Sequence, residues 1–131
     1  MNYWLVKTEP NDYSWVDMQK DGITSWSGVR NYQARNNLKT MKKGDLVLFY
    51  HSVIGMQVMG IVSVEKEFYP DSDPNFVCVD VKFMESLKNP VSLSAIKANP
   101  KLADIALVKH SRLSVMPLKK EDYEEILRMS A

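Results

Sequence analysis

The chain is poor in the residues that staple, ligate or cradle. Cys78 is its only cysteine in 131 residues, which excludes an intramolecular disulfide. With His51 and His110 as the only imidazoles, no structural zinc site is expected. The five glycines, Gly22, Gly28, Gly44, Gly55 and Gly60, match neither GxGxxG nor the phosphate-loop spacing, so no nucleotide cofactor is expected. No apolar run approaches the roughly 18 residues that cross a bilayer, and a membrane partner is not expected. The start, MNYWLVKTEP, lacks the cationic and apolar segments of a secretory signal. A reducing, cytoplasmic setting fits that start and the lone thiol.

Acid is missing where base gathers. Residues 22–44 contain no Asp or Glu but carry Arg30, Arg35, Lys39, Lys42 and Lys43, whereas residues 65–85 hold Glu65, Glu67, Asp71, Asp73, Asp80 and Glu85 against Lys66 and Lys82. A formal net charge of +1 therefore hides an asymmetry that can give one basic face, suited to polyanions. A solvated helix face with lysines at its C-terminal end accounts for the lysines equally well, and for the arginines less well.

Length and composition fit one globular domain spanning 1–131, with 45% hydrophobic and 25% charged residues. NYWLVK reads as a first strand. Ser14-Trp15-Val16-Asp17 matches a capping box opening a short helix that Gly22 stops. QARNNLKTMKKG is helical in period to about Met41, and DLVLFYHS, QVMGIVSVEK and NFVCVDVKFM are three strands separated by turns near Gly55 and at YPDSDPN, an antiparallel meander. Pro90 and Pro100 break the next stretch into short helical turns; KHSRLSVMPL reads as a last strand, and KKEDYEEILRM as a helix with Tyr123, Ile126 and Leu127 inward. Short strands with inserted helices favour a small, partly closed barrel over a doubly wound sheet.

Among candidate chemistry, His51-Ser52 with Asp80 or Asp45 lacks the GxSxG elbow of a hydrolase, and Asp71 and Asp73 beside Pro70 and Pro74 are explained by turn formation. Trp4 and Trp15 read as core. Trp26 is different: it precedes Gly28 in WSGVRNYQARN, followed by Arg30, Asn31, Gln33, Arg35 and Asn36. An indole there suits either the core or a stacking platform worth roughly 1–3 kcal/mol per base, and composition leaves the two level. In HSRLSVMP, alternation places His110, Arg112 and Ser114 on one strand face opposite Leu113 and Val115, as a cavity floor or as an ordinary solvent face.

The blocks YWLVKTEP, YSW, WSGVRNYQARNNLKTMKKGD, LFYHS, YPD, VDV, NPVSLSAIK and SRLSV, in this order, resemble the EVE domain family over nearly the whole chain. Ser27 stands where that family's pattern carries Asp, and Lys109 and His110 where it carries Arg. The resemblance implies an α+β fold: a PUA-like mixed or antiparallel β pseudo-barrel of about five to six strands with peripheral helices, related to YTH and ASCH domains. It also implies a non-catalytic module that binds DNA or RNA carrying a modified base, such as a methylated cytosine or adenine, flipped into an aromatic cage.

By that resemblance Trp26 is the stacking wall, and Lys7, Thr8, Ser27, Gly28, Asn31, Tyr50, His51, Ser111, Arg112 and Ser114 are rim and floor. Arg30, Arg35, Lys39, Lys42 and Lys43 would hold the nucleic-acid backbone, while Asn31, Gln33 and Asn36 read edges or brace the loop. Stand-alone members of such a family need an effector protein to produce an output. Two rival readings differ in class: an RNA-binding PUA-like module without modified-base specificity, and an enzyme processing a small molecule or nucleotide with Lys7, His51, Ser52 and Arg112.

Overall fold

A computed structural model describes residues 1–131. Its centre is a six-stranded sheet in the order β2-β5-β4-β3-β1-β6. β1 (Tyr3–Thr8) lies between β3 (Leu46–His51), its parallel partner, and β6 (Val115–Leu118), antiparallel to it. Neighbours on both edges and cover on both faces explain why Trp4, Leu5 and Val6 are buried in succession, without the alternation of a strand that has one wet face. β4 (Gln57–Pro70) and β5 (Val77–Ser92) continue the antiparallel meander that the sequence predicts.

Three elements differ from the sequence reading. Ile23–Trp26 forms a short strand, β2, pairing antiparallel with β5, so Trp26 ends a strand and does not begin a loop. Four residues are too few to display a period, which is why ITSW is silent in the sequence. β5 runs through Pro90, because the pairing with β4 jumps from Gly60–Ser86 to Val58–Val91 and leaves the proline in an irregularity where no ladder donor is needed. The last strand is only Val115–Leu118: the Leu113 amide donates to the His110 carbonyl at 3.0 Å, making residues 110–113 a turn.

The helices close the structure. α1 (Trp15–Asp21) has the full capping box, with Ser14 Oγ accepting from the Asp17 amide and Asp17 Oδ2 from the Ser14 amide, and it ends at Gly22, whose φ of 73° suits only glycine without strain. α2 (Tyr32–Thr40) is capped by Asn31 and packs against both β5 and β6. Those strands stand four places apart in the sheet order, so one helix can touch both only if the sheet curls around it, which makes the pseudo-barrel. Asn37 Nδ2 fastens the contact by donating to the Val115 carbonyl at 2.7 Å. α3 (Leu93–Ala98), α4 (Ala106–Lys109) and α5 (Lys120–Met129) are peripheral; α5 buries Tyr123 and Ile126 and leaves Leu127 half-buried. No helix is long and apolar enough to cross a membrane.

Buried Asp45 ties the start of the sheet together. Its carboxylate accepts from the Asn2 amide at 3.1 Å, Trp4 Nε1 at 3.0 Å and the Lys42 amide at 3.0 Å. At the opposite end of β3 and β4, Gly60 lies beneath the Trp15 indole: a Cβ there would stand 2.0 Å from a ring carbon. Trp15 is held in that place by Nε1 donating to Ser86 Oγ at 2.9 Å and by tilted contacts with Phe49 and Phe83.

Candidate functional site

A cleft of about 760 Å³ opens where the C-terminal end of β1 meets the loop after β2, the β3–β4 loop and the 110–113 turn. That size is within the usual range for small-ligand sites. Its lining includes Lys7, Thr8, Trp26, Ser27, Gly28, Arg30, Asn31, Ser52, Ser111, Arg112 and Ser114, so the structure brings together most residues named from the sequence, and it adds Glu9, Asp12, Tyr13 and Val53.

Trp26 is both things that composition left level. Only 8% exposed, it stands nearly perpendicular to Phe49, with centroids 5.5 Å apart, and to Tyr13 at 6.2 Å, yet it lines the cleft. Gly28, with φ 81°, turns the chain away after it. The turn from YPDSDPN packs against this point: Asp71 Oδ2 accepts from the Gly28 amide at 2.8 Å and from Arg30 Nη1 at 3.1 Å, while Arg30 Nη2 donates to Ser72 Oγ at 3.2 Å. The Gly28 amide, and then Ser72 and Arg30, hold the Asp71 carboxyl below its ordinary value. Asp71 therefore braces the Trp26 loop, a role the sequence reading missed because a turn already explained an acid between prolines.

On the facing side, Lys7 Nζ donates to the Ser111 carbonyl at 2.6 Å, tying β1 to the 110–113 turn, and burial lowers its pKa. Thr8 Oγ1 donates to the Tyr13 carbonyl at 3.0 Å. Ser111 and Arg112 reach the cleft from a turn, not from the strand face that alternation suggested. Arg112 is exposed and, alone among the arginines, makes no side-chain hydrogen bond or ion pair within the protein. Asn31 spends its Oδ1 on the Ala34 amide at 2.9 Å, capping α2 while lining the cleft.

Tyr50 and His51 do not line the cleft. Tyr50 is 2% exposed in the core, and burial raises its pKa. His51 Nε2 accepts from the Trp15 amide at 2.9 Å, so it seats α1. The quartet required for the enzymatic reading is consequently not assembled, since Lys7, Ser52 and Arg112 line the cleft without His51.

Burial lowers the His51 pKa below 6.5, in keeping with a neutral acceptor. A base with a lowered folded pKa binds its proton more readily in the unfolded chain, so its contribution to stability is present above 6.5 and is lost as pH falls through the folded value. The melting temperature of the protein is expected to drop more steeply below about pH 6.5 than that of His51→Gln, which offers a non-titrating acceptor. Parallel slopes in the two proteins would exclude His51 as the group responsible.

The basic segment also divides. Arg30 lies at the cleft. Arg35 donates to the Asn75 carbonyl and to Asn36 Oδ1, and its guanidinium sits over the Tyr32 ring at 4.8 Å. Exposed Gln33 makes no such contact. α2 carries the chain away from the cleft over nine residues, about 13 Å, so Lys39 lies at its far end, over Phe68 at 5.9 Å. Lys42 pairs with Glu67 at 4.0 Å, and its amide reaches Asp45 at the beginning of β1, about 17 Å along that strand from Lys7 and Thr8. The Lys43 amide likewise meets Glu67. Residues 22–44 therefore do not form one basic strip; the cleft's own cations are Lys7, Arg30 and Arg112, balanced by Glu9 and Asp12.

Comparison with known proteins extends this picture. The EVE domain family pattern matches residues 2–129. Thymocyte nuclear protein 1 of Mus musculus is 33% identical, over 98% of this chain and 73% of its own length. The crystal structure of a protein from Agrobacterium tumefaciens superposes with a TM-score of 0.98 at 47% identity, covering all of this chain and 94% of the other. Human THYN1, crystallised in complex with 5-methylcytosine containing DNA, superposes with a TM-score of 0.94 at 29% identity over 99% of this chain and 98% of its own. A more distant likeness shows the fold alone: the YTH domain of Zygosaccharomyces rouxii MRB1, at 17% identity, has a TM-score of 0.59 over 98% of this chain and 83% of that one. With the family pattern covering almost every residue and the sheet and helices shared, this chain belongs to the EVE domain family.

Proposed function

We propose that this protein is a non-catalytic reader of nucleic acid that takes a modified base into the cleft beside Trp26. The observation that carries the reading is the composition of the cleft: one nearly buried indole, two carboxylates and three cations around about 760 Å³. A base stacks on the indole, and Glu9 and Asp12 supply acceptors for an exocyclic amino group such as that of cytosine. Arg112, free of internal partners, and Lys7 with its remaining donors meet the phosphates on either side of the base. The DNA-bound human relative supports 5-methylcytosine as the first modification to test.

Binding of a base already unpaired costs least, because extrusion from a duplex must be paid from the stacking gained. A methyl group buried in the cleft contributes about 0.8 kcal/mol, close to a fourfold preference over the unmodified base. Titration with short DNA and RNA strands differing by one methyl group, followed by tryptophan fluorescence, is expected to show that preference. The logarithm of affinity should fall with the logarithm of salt at a slope of about −0.7 for each phosphate neutralised on a single strand. Equal affinity for modified and unmodified RNA would replace this reading with an RNA-binding module lacking modified-base specificity, and turnover of a nucleotide would replace it with an enzyme.

A further inference from the structure

We propose that the β3–β4 loop, residues 52–56, is an apolar wedge that enters the base stack of a duplex and fills the gap left when a base turns into the cleft. The inference rests on the reading of the cleft given above and adds to it a substrate class, double-stranded nucleic acid. Val53, Ile54 and Met56 are 64%, 53% and 45% exposed, three large apolar side chains within four positions on an otherwise polar rim. Ser52 and Val53 line the cleft, so the tip stands next to the space a flipped base would occupy.

The loop is displayed, not loose. The Ser52 amide donates to the Thr8 carbonyl at 2.9 Å and the Leu93 amide to the Met56 carbonyl at 2.9 Å, fixing both ends to the sheet and α3. Between them the Ile54 amide donates to the Ser52 carbonyl at 2.8 Å, closing a γ-turn centred on Val53 with φ 68°. Val53 is the only non-glycine residue with positive φ, and a β-branched side chain is among the least suited to that region. Glycine at this place would relieve the backbone, and asparagine would tolerate it. An apolar side chain kept there against local preference points to a use for its exposed surface. Apolar side chains inserted between base steps are a general way to hold a duplex unstacked, and a vacated base position is a gap that fits them.

The test compares a short duplex carrying one 5-methylcytosine with the methylated single strand, using the wild type, Ile54→Ser and Val53→Gly. Ile54→Ser is expected to weaken duplex binding about tenfold while single-strand binding stays within about twofold, because only a duplex has a gap to fill. Val53→Gly should lose duplex affinity similarly with a melting temperature no lower than the wild type's, which separates loss of the wedge from loss of the fold. A 2-aminopurine placed beside the methylated base should brighten on binding wild type and brighten less with Ile54→Ser. Equal loss on duplex and single strand, or no loss on either, overturns the wedge and leaves the cleft reading standing. A wild type that binds neither strand form overturns both. Oligomers of the free wild type that Ile54→Ser dissolves would assign the loop to a second copy of the chain and overturn the proposal.

Discussion

Trp26→Ala is expected to lose both stability and binding. Removing a large aromatic from the core contact with Phe49 and Tyr13 should cost about 3–5 kcal/mol of folding free energy. Loss of the stacking surface should weaken a modified oligonucleotide about 5- to 150-fold, the equivalent of roughly 1–3 kcal/mol. The two effects separate in Trp26→Leu, which keeps an apolar filler and removes the π-face: most of the stability lost in the alanine variant should return, and the affinity should not. Thermal melts monitored by circular dichroism give the first quantity, and titration well below the melting temperature gives the second. Affinity that returns with leucine would show that Trp26 serves the fold alone, and would remove the central wall from the proposed site.

Gly60→Ala should rank next. The added Cβ would stand 2.0 to 2.6 Å from three atoms of the Trp15 indole. That ring has no room to give way, since Ser86 Oγ holds its Nε1 and Phe49 and Phe83 flank it. Overpacking of this kind costs about 1–3 kcal/mol, and a contact so short with a rigid partner belongs at the upper end. The melting temperature should fall by about 7–11 °C for a chain of this size. A cycle with Trp15→Phe supplies the control: the smaller ring leaves space for the methyl, so the double variant should be less destabilised than the two single effects summed. Simple additivity would mean that the indole does not determine what residue 60 must be.

Much of the frame was legible because it obeys short periods. The capping box at Ser14, the stop at Gly22 and the three meander strands are local signals, and the structure repeats them. β2 was not legible, since ITSW has four residues and its pairing partner lies in β5, more than 50 positions downstream. The 110–113 turn reads as strand in the sequence because polar and apolar residues alternate through it, although its backbone bonds to itself. Alternation is therefore not what brings Arg112 and Ser114 to the cleft, where the family resemblance also puts them.

The limits at the site are of another kind. Trp26 could be named, but whether an indole is core or platform depends on what surrounds it, and here it is both. Tyr50 and His51 adjoin Ser52 in sequence, yet the pairing of Lys7 with Tyr50 and Thr8 with His51 leaves one in the core and gives the other to the Trp15 amide. A run of like charge in sequence says nothing of direction in space, so Lys42 and Lys43 lie near Arg30 in the chain and part from it along α2. Nothing in the sequence neighbours of Asp12 and Glu9 distinguishes them from solvated acids.

The cleft draws its walls from segments near residues 7–13, 24–31, 52–53 and 111–114. No hairpin or helix of this chain contains two facing walls, and the loops that must close before the cavity exists are long. The cavity therefore exists only once all four segments are in place together. A ligand that recognises it recognises only the fully folded chain, and its binding energy is then distributed over the whole fold as resistance to global opening.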